Sequence, residues 1–366
     1  MEKDLGYRRV QQTGRGSYII SLPKNWVQDT GLTKGNQIAF KIQDDSSLIL
    51  VPRKIIEGRK GTEPELRGYW LLIEPRADPQ SVCRKIISLY VISADLIHIR
   101  FKGGASSKHK LAIKHLVRHT LLGSEIIHET QDEITLQILI NQLQFPVEKA
   151  IRRMSVLALS ANANAISALK TMDHDLIQSV VDLHNDVNRL SLYVIRQLKF
   201  ALEQDLFREL GFKTPKEFLG YRIVTNDIKN ISTNAMNIAK NITTLNDLIK
   251  TQVLSLKEYV DEEVYSQILK VNASAHQFFE ASLNALFKRN YEQADNLITN
   301  LKRFTTLEHD LIILISSKKM DPNISSTLRL ILDNSRRIGE YSQNLAEITL
   351  NRTIEEVSSV RTFNHS

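Results

Sequence analysis

Along residues 224–245 the apolar or small side chains Val224, Ile228, Ile231, Ala235, Ile238, Ile242 and Leu245 recur at steps of four, three, four, three, four and three. That spacing sets them on one helix face and predicts the seam of an antiparallel bundle. From Phe145 onward nearly the whole chain reads as long amphipathic helix. The seam returns near the C-terminus, where Ile338, Asn344, Leu345 and Ala346 match Ile231, Asn237, Ile238 and Ala239 at an offset of 107. A first-helix match sets "LNALFKRNYEQADNLI" against "ISALKTMDHDLIQSVV" at an offset of 117, Leu283 against Ile166. The longer connection "GFKTPKEFLG" in the first copy accounts for the difference. Residues 145–352 therefore read as a duplicated three-helix unit, with repeats at 145–247 and 250–352 and a tail at 353–366.

The period changes before this. Residues 68–142 predict β-α-β-α-β-β, a small α/β sandwich. "YWLLIE", "DLIHIRF", "SEIIHET" and "EITLQILI" are its strands. Its first helix starts with Asp78 as N-cap and Pro79 after it, and its second, "SSKHKLAIKHLVRHTLLG", is expected to end at Gly123. Residues 56–67 form a charged, glycine-containing linker. Residues 1–55 alternate in short strands, "YRRVQQ", "SYIISL", "QIAFKI" and "LILV", around a two-turn helix in "PKNWVQDTG". Pro23 suits the first helical position and Gly31 the left-handed residue that ends a helix. So small a unit cannot bury both faces of its sheet, and it is expected to dimerise by interleaving strands with a second copy.

Composition changes this picture only in places. A hydrophobic share of 42% and a charged share of 24% are those of an ordinary globular chain. No run approaches the ~18 apolar residues of a membrane span, and "MEKDLGYRRV" has no apolar core of a secretion signal; a cytoplasmic protein that spans no membrane is expected. The lone Cys83 allows no intrachain disulfide and reads as a packed thiol. Charge is the informative feature. Of the net +7, residues 1–60 hold eleven Lys and Arg against six acids, a balance of +5, which leaves +2 for the remaining 306 residues. A basic head on a nearly neutral body points to a polyanion partner for the head.

The segment "RRVQQTGRGSYIISLPKNWVQDTGLTKGNQIAFKIQDDSSLILVP" resembles the AbrB/SpoVT family of swapped-hairpin DNA-binding domains. Ile20, Pro23, Lys24, Gly31, Leu32, Gly35, Asn36 and Pro52 stand at that family's motif positions. The duplicated bundle, with "RIGEYSQNLAEIT" and "VDLHNDVNRLSLYVIRQLK", resembles the PhoU family. The combination is similar to archaeal phosphate-uptake regulators of mixed architecture. The fold class expected is α+β multidomain: an N-terminal AbrB-like swapped-hairpin β-barrel, dimeric, then the small α/β sandwich, then an all-α PhoU-like bundle of two three-helix repeats.

The first resemblance implies double-stranded DNA as partner and places its contacts at Arg8, Arg9, Gln11, Arg15 and Lys24. Arg8 and Arg9 on one strand would face opposite ways. Arg15 between Gly14 and Gly16 could adapt to a guanine edge, and Lys24 near a helix start could meet a phosphate. The second resemblance implies phosphate homeostasis and a phosphate ABC transporter or signalling kinase as partner. PhoU proteins can carry metal through acids four residues apart, but here those positions hold Lys229 and Thr233, and Arg336 and Glu340. Asp182 and Asp186 stand four apart; Asp173 and Asp175 read more simply as helix caps. Neither a metal nor a cofactor is expected.

The chain lacks a phosphate-binding loop, zinc-ligand spacing and a nucleophile elbow, so no enzyme is expected. The basic helix carrying Lys108, His109, Lys110, Lys114, His115, Arg118 and His119 reads as a solvated face with some packed histidines. Two rival readings are disfavoured, the first by the charge of the head and the second by the duplicated bundle. In one, the chain is a signalling adaptor whose head only dimerises it. In the other it is an antitoxin, a class that attaches a short disordered tail rather than a bundle.

Overall fold

The computed structural model describes residues 6–14, 16–42, 46–53, 66–140, 145–204, 212, 216–250 and 260–358. The chain divides into two compact units, Met1–Leu66 and Arg67–Ser366.

In the first unit β1 (Gln11–Thr13) pairs antiparallel with β2 (Ser17–Ile19), Gln11 opposite Ile19. β3 (Ile38–Ile42) pairs antiparallel with β4 (Leu48–Pro52), Ile38 opposite Pro52. Helix α1 (Lys24–Asp29) lies between the hairpins in sequence, with Pro23 as its N-cap rather than its first helical residue. Gly31, at φ 62°, takes the left-handed conformation that ends it. The "TKGN" turn closes on Asn36, whose Oδ1 accepts the Thr33 N–H at 2.9 Å.

Two expectations need correction. The hairpins form two separate two-stranded sheets, not a closed barrel. The strands are short, and one copy leaves Tyr18, Ile19, Phe40, Ile42 and Leu48 exposed, so it lacks the partner surface that closure requires. The second correction concerns Arg8 and Arg9. Both precede β1 in irregular backbone, so no strand assigns them to opposite faces.

In the second unit a four-stranded sheet runs in the order β5-β6-β8-β7. β5 (Gly68–Ile73) and β6 (Leu96–Phe101) are parallel, joined by α2 (Pro79–Val91). Helix α3 (Ser107–His119) leads to β7 (Ser124–Glu129), which turns back antiparallel into β8 (Glu133–Ile138). The Asp78 side chain caps α2 as the sequence implied, accepting from the Gln80 and Ser81 N–H groups. Alternation places Ile97, Ile99, Phe101, Ile134, Leu136 and Ile138 against Val82, Ile86, Tyr90, Ile113 and Leu116 of the helices. Cys83 lies in this core, its thiol pushed up by burial. Helix α3 stops at His119, before Gly123. At φ 68° Gly123 instead makes the turn into β7.

Six long helices follow: α4 (Val147–Thr171), α5 (His174–Gln204), α6 (Glu217–Lys250), α7 (Glu262–Lys288), α8 (Tyr291–Ser317) and α9 (Pro322–Val357). Every seam residue from Val224 to Leu245 is fully buried, as are Ile338, Leu345 and Ala346. The duplication extends to backbone detail. Helix α4 ends at Met172 and α7 at Arg289, each in the left-handed conformation at φ 55°, and 289 − 172 returns the offset of 117.

Arg196 of α5 joins the sheet layer to the bundle. It is 1% exposed, and its Nη1 donates to the Tyr90 and Ala94 carbonyls at 2.8 and 2.7 Å while Nη2 reaches Asp95 at 3.1 Å. In return, the Ser93 hydroxyl donates to the Arg196 carbonyl.

Candidate nucleic-acid interface

The first unit contributes no side chain to any of the three described apolar cores. Its large apolar side chains are exposed instead: Tyr18 70%, Phe40 64% and Ile42 75%. So much exposed apolar strand surface on one small unit marks an interaction site rather than a finished core.

The cations sit on the same unit. Arg8 is exposed, its guanidinium turned to the Tyr7 carbonyl at 3.0 Å. Arg9 is exposed in the adjoining backbone, and Gln11 is exposed at the start of β1. Arg15 lies outside the described residues; Gly16 after it takes φ 89°, a conformation that favours glycine. Lys24 is exposed at the first position of α1. That helix is only six residues long, so the helix-terminus argument drops out. The structure therefore brings Gln11 into a hairpin and leaves Arg8, Arg9 and Lys24 in water.

The bundle positions where the PhoU resemblance puts paired acids have different chemistry. In the second repeat the Arg336 guanidinium fills the place, bonded to Asp333 at 2.6 Å and to Glu340, with Glu308 of α8 at 3.7 Å. Asp333 is held below the usual carboxylate range by Arg336 and Arg337 against the opposing effect of its burial, whereas burial pushes Glu308 up. In the first repeat these positions hold Lys229 and Thr233; on the helix before them His184 pairs with the Ser232 hydroxyl at 3.0 Å, its basicity lowered by burial and by Lys229 and Lys240. The Arg336 guanidinium and the Lys229 ammonium at these places do not fit a cluster of carboxylate-bridged metal ions.

Helix α3 divides its basic residues by task. His109 is buried, bonded to Ser106 and to the Ala77 carbonyl at 2.9 Å. Lys110 and Lys114 pair with Glu129, lowering its carboxyl. His115 and His119 line a cavity of about 310 Å³ with Asp182 and Asp186 of α5. Sequence reasoning missed that meeting, although both pairs are visible as i, i+4 spacings.

Residues 151–242 match the PhoU domain, and residues 11–57 match MazE, an antidote-toxin recognition domain of bacterial antitoxins. The chain carries a PhoU domain behind a MazE/AbrB-like one. The PhoU bundle is similar to the crystal structure of PhoU from Pseudomonas aeruginosa, at 16% identity and a TM-score of 0.50. That likeness covers 59% of this chain and 98% of that one. The phosphate transport system regulatory protein PhoU from Streptococcus pneumoniae aligns at 15% identity and a TM-score of 0.45, covering 59% and 96%. No curated protein matches the chain. The likeness to the Pseudomonas aeruginosa structure is one of fold. Among the described residues, no helix is long and apolar enough to cross a membrane.

Proposed function

We propose that this chain is a dimeric, DNA-binding transcriptional regulator of phosphate uptake, a cytoplasmic protein that works without catalysis or cofactor. The observation that carries the reading is the joining of two features in one head: a net charge of +5 over residues 1–60 and an apolar strand surface that one copy cannot bury. A second copy covers the strands, and the paired heads present two sets of cations to duplex DNA. Arg15 reads a base edge; Arg8, Arg9, Gln11 and Lys24 hold phosphates and sugars. The PhoU bundle behind the head reports phosphate status through a partner protein, a phosphate ABC transporter or a signalling kinase. The domains divide at 1–55, 68–142 and 145–352, the last as repeats 145–247 and 250–352, with 56–67 as the linker.

The test is a salt titration of duplex binding by the full chain. Log affinity falls linearly with log salt, with a slope near −0.9 for each phosphate neutralised. Arg15→Ala lowers affinity for the specific site by about 1–3 kcal/mol and leaves random duplex nearly unchanged. An Arg15→Ala chain that binds both duplexes as the parent does refutes the base-reading role. Binding indifferent to salt favours the adaptor reading, in which the head only dimerises.

A further inference from the structure

The edge of the four-stranded sheet carries an unassigned surface. Strand β5 pairs with β6 on one side, and among the described residues no strand pairs with it on the other. The Arg67 and Ile73 carbonyls accept from Leu96 and Lys102, on the β6 side. Backbone direction alternates along a strand, so the amide and carbonyl groups of Gly68, Trp70 and Leu72 point outward, away from β6. The same three residues place their side chains on the sheet face opposite the helices. Trp70 is 63% and Leu72 55% exposed. Trp70 is already oriented, stacked on His98 at 4.1 Å between ring centroids with Arg100 against its face.

The two edges of this sheet differ. β7, at the far side, is broken by a bulge between Ile126 and His128 and carries Glu125 and Glu129, the latter tied to Lys114. Bulges and charges are the usual devices that keep an edge from pairing. "GYWLLI" has none of them: no charge, no proline and a regular register with β6.

We propose that β5 pairs antiparallel with β5 of a second copy of this chain, continuing the sheet through a two-fold axis at Trp70. With the axis at Trp70 all three outward residues, Gly68, Trp70 and Leu72, pair with one another. Trp70 faces the partner subunit's Trp70 as a hydrogen-bonded pair, and Gly68 faces the partner's Leu72. The choice of a second copy as occupant follows from self-complementarity. An uncharged strand meets itself without like-charge repulsion, and the absent side chain of Gly68 leaves room for a leucine opposite. On the helix side, half-buried Tyr69 and Leu71 would meet Leu71 and Tyr69 of the partner and lose their remaining exposure.

Strand pairing of this length is weak alone. It rests on the head pairing proposed above, which tethers two bodies through the residues between Arg53 and Gly68, a reach of at most about 50 Å. Tethering at that range gives an effective concentration on the order of millimolar. The molecule would then close as a dimer at two places, head and sheet.

Disulfide trapping in the full chain, with Cys83→Ala as background, tests the register. Directly opposite residues of a hydrogen-bonded pair have Cα atoms about 5.5 Å apart, inside the disulfide range of about 4.4–6.8 Å. Trp70→Cys is therefore expected to form a covalent dimer on mild oxidation. Leu72→Cys is expected not to, because it lies about 14 Å along the strand from its own copy. The Gly68→Cys/Leu72→Cys double variant tests the same register without touching Trp70 and is expected to cross-link. Failure of both Trp70→Cys and the double variant overturns the proposal, and so does equal cross-linking by Leu72→Cys alone. Duplex binding by a chain that does not cross-link sinks the sheet pairing and leaves the DNA reading standing; cross-linking without duplex binding does the reverse.

Discussion

Asp227 is expected to make the stability of the bundle depend on pH. It lies on α6 at 3% exposure, accepts a hydrogen bond from Asn344 of α9, and leaves Oδ2 with no partner among the described residues. Burial, the larger effect, raises its carboxyl from 3.8 to about 7, with the Asn344 bond pulling the other way. The folded state therefore holds a proton that the unfolded chain releases between pH ~4 and ~7. Stability from this group is complete below pH ~4 and is lost as pH rises through 7. A shift of about three units at 1.36 kcal/mol each gives an upper bound of roughly 4 kcal/mol.

The sister repeat supplies the neutral control. Position 334, at the offset of 107, is a buried asparagine whose Nδ2 donates to the Leu330 carbonyl one turn back at 2.6 Å. Asp227→Asn places the same group in the same setting. At pH 8 the variant is expected to be more stable than the parent by about 2–4 kcal/mol, and at pH 4 equal to it within about 1 kcal/mol. Urea unfolding of both chains across that range measures the difference and cancels every other titrating group. Parallel curves for the two chains would refute the reasoning, because they would mean that Asp227 finds water or a partner in solution.

Three further outcomes follow from single contacts. Arg196→Met removes the buried guanidinium that satisfies the Tyr90 and Ala94 carbonyls and Asp95; it should cost about 3 kcal/mol and speed hydrogen exchange at residues 90–95, which unchanged exchange would contradict. Gly339→Ala would gain up to about 1 kcal/mol in a free helix, but here the new Cβ lies 2.9 Å from the Phe304 ring and 3.3 Å from Leu301, so a net loss of about 1–2 kcal/mol is expected in thermal melts. Lys24→Ala, at an exposed site, should weaken binding to all duplexes alike and make the salt slope shallower by about 1; a loss confined to one sequence would contradict that role.

Periodicity alone specified the helical bundle, because a 4,3 seam has one way to be buried and Val224 to Leu245 took it. The repeat offset specified the second set of helices for the same reason. Local chemistry marked the Asp78 cap and the Gly31 exit, since each depends on neighbours within a few residues. Three things needed the tertiary structure. The end of α3 at His119, four residues before Gly123, is the first. Arg196 reads as one more helix cation until the fold brings it to the Tyr90 and Ala94 carbonyls, about a hundred positions away. The self-complementary β5 edge became visible only with the strand order, since which strand lies outermost is decided by long-range pairing that no local pattern encodes.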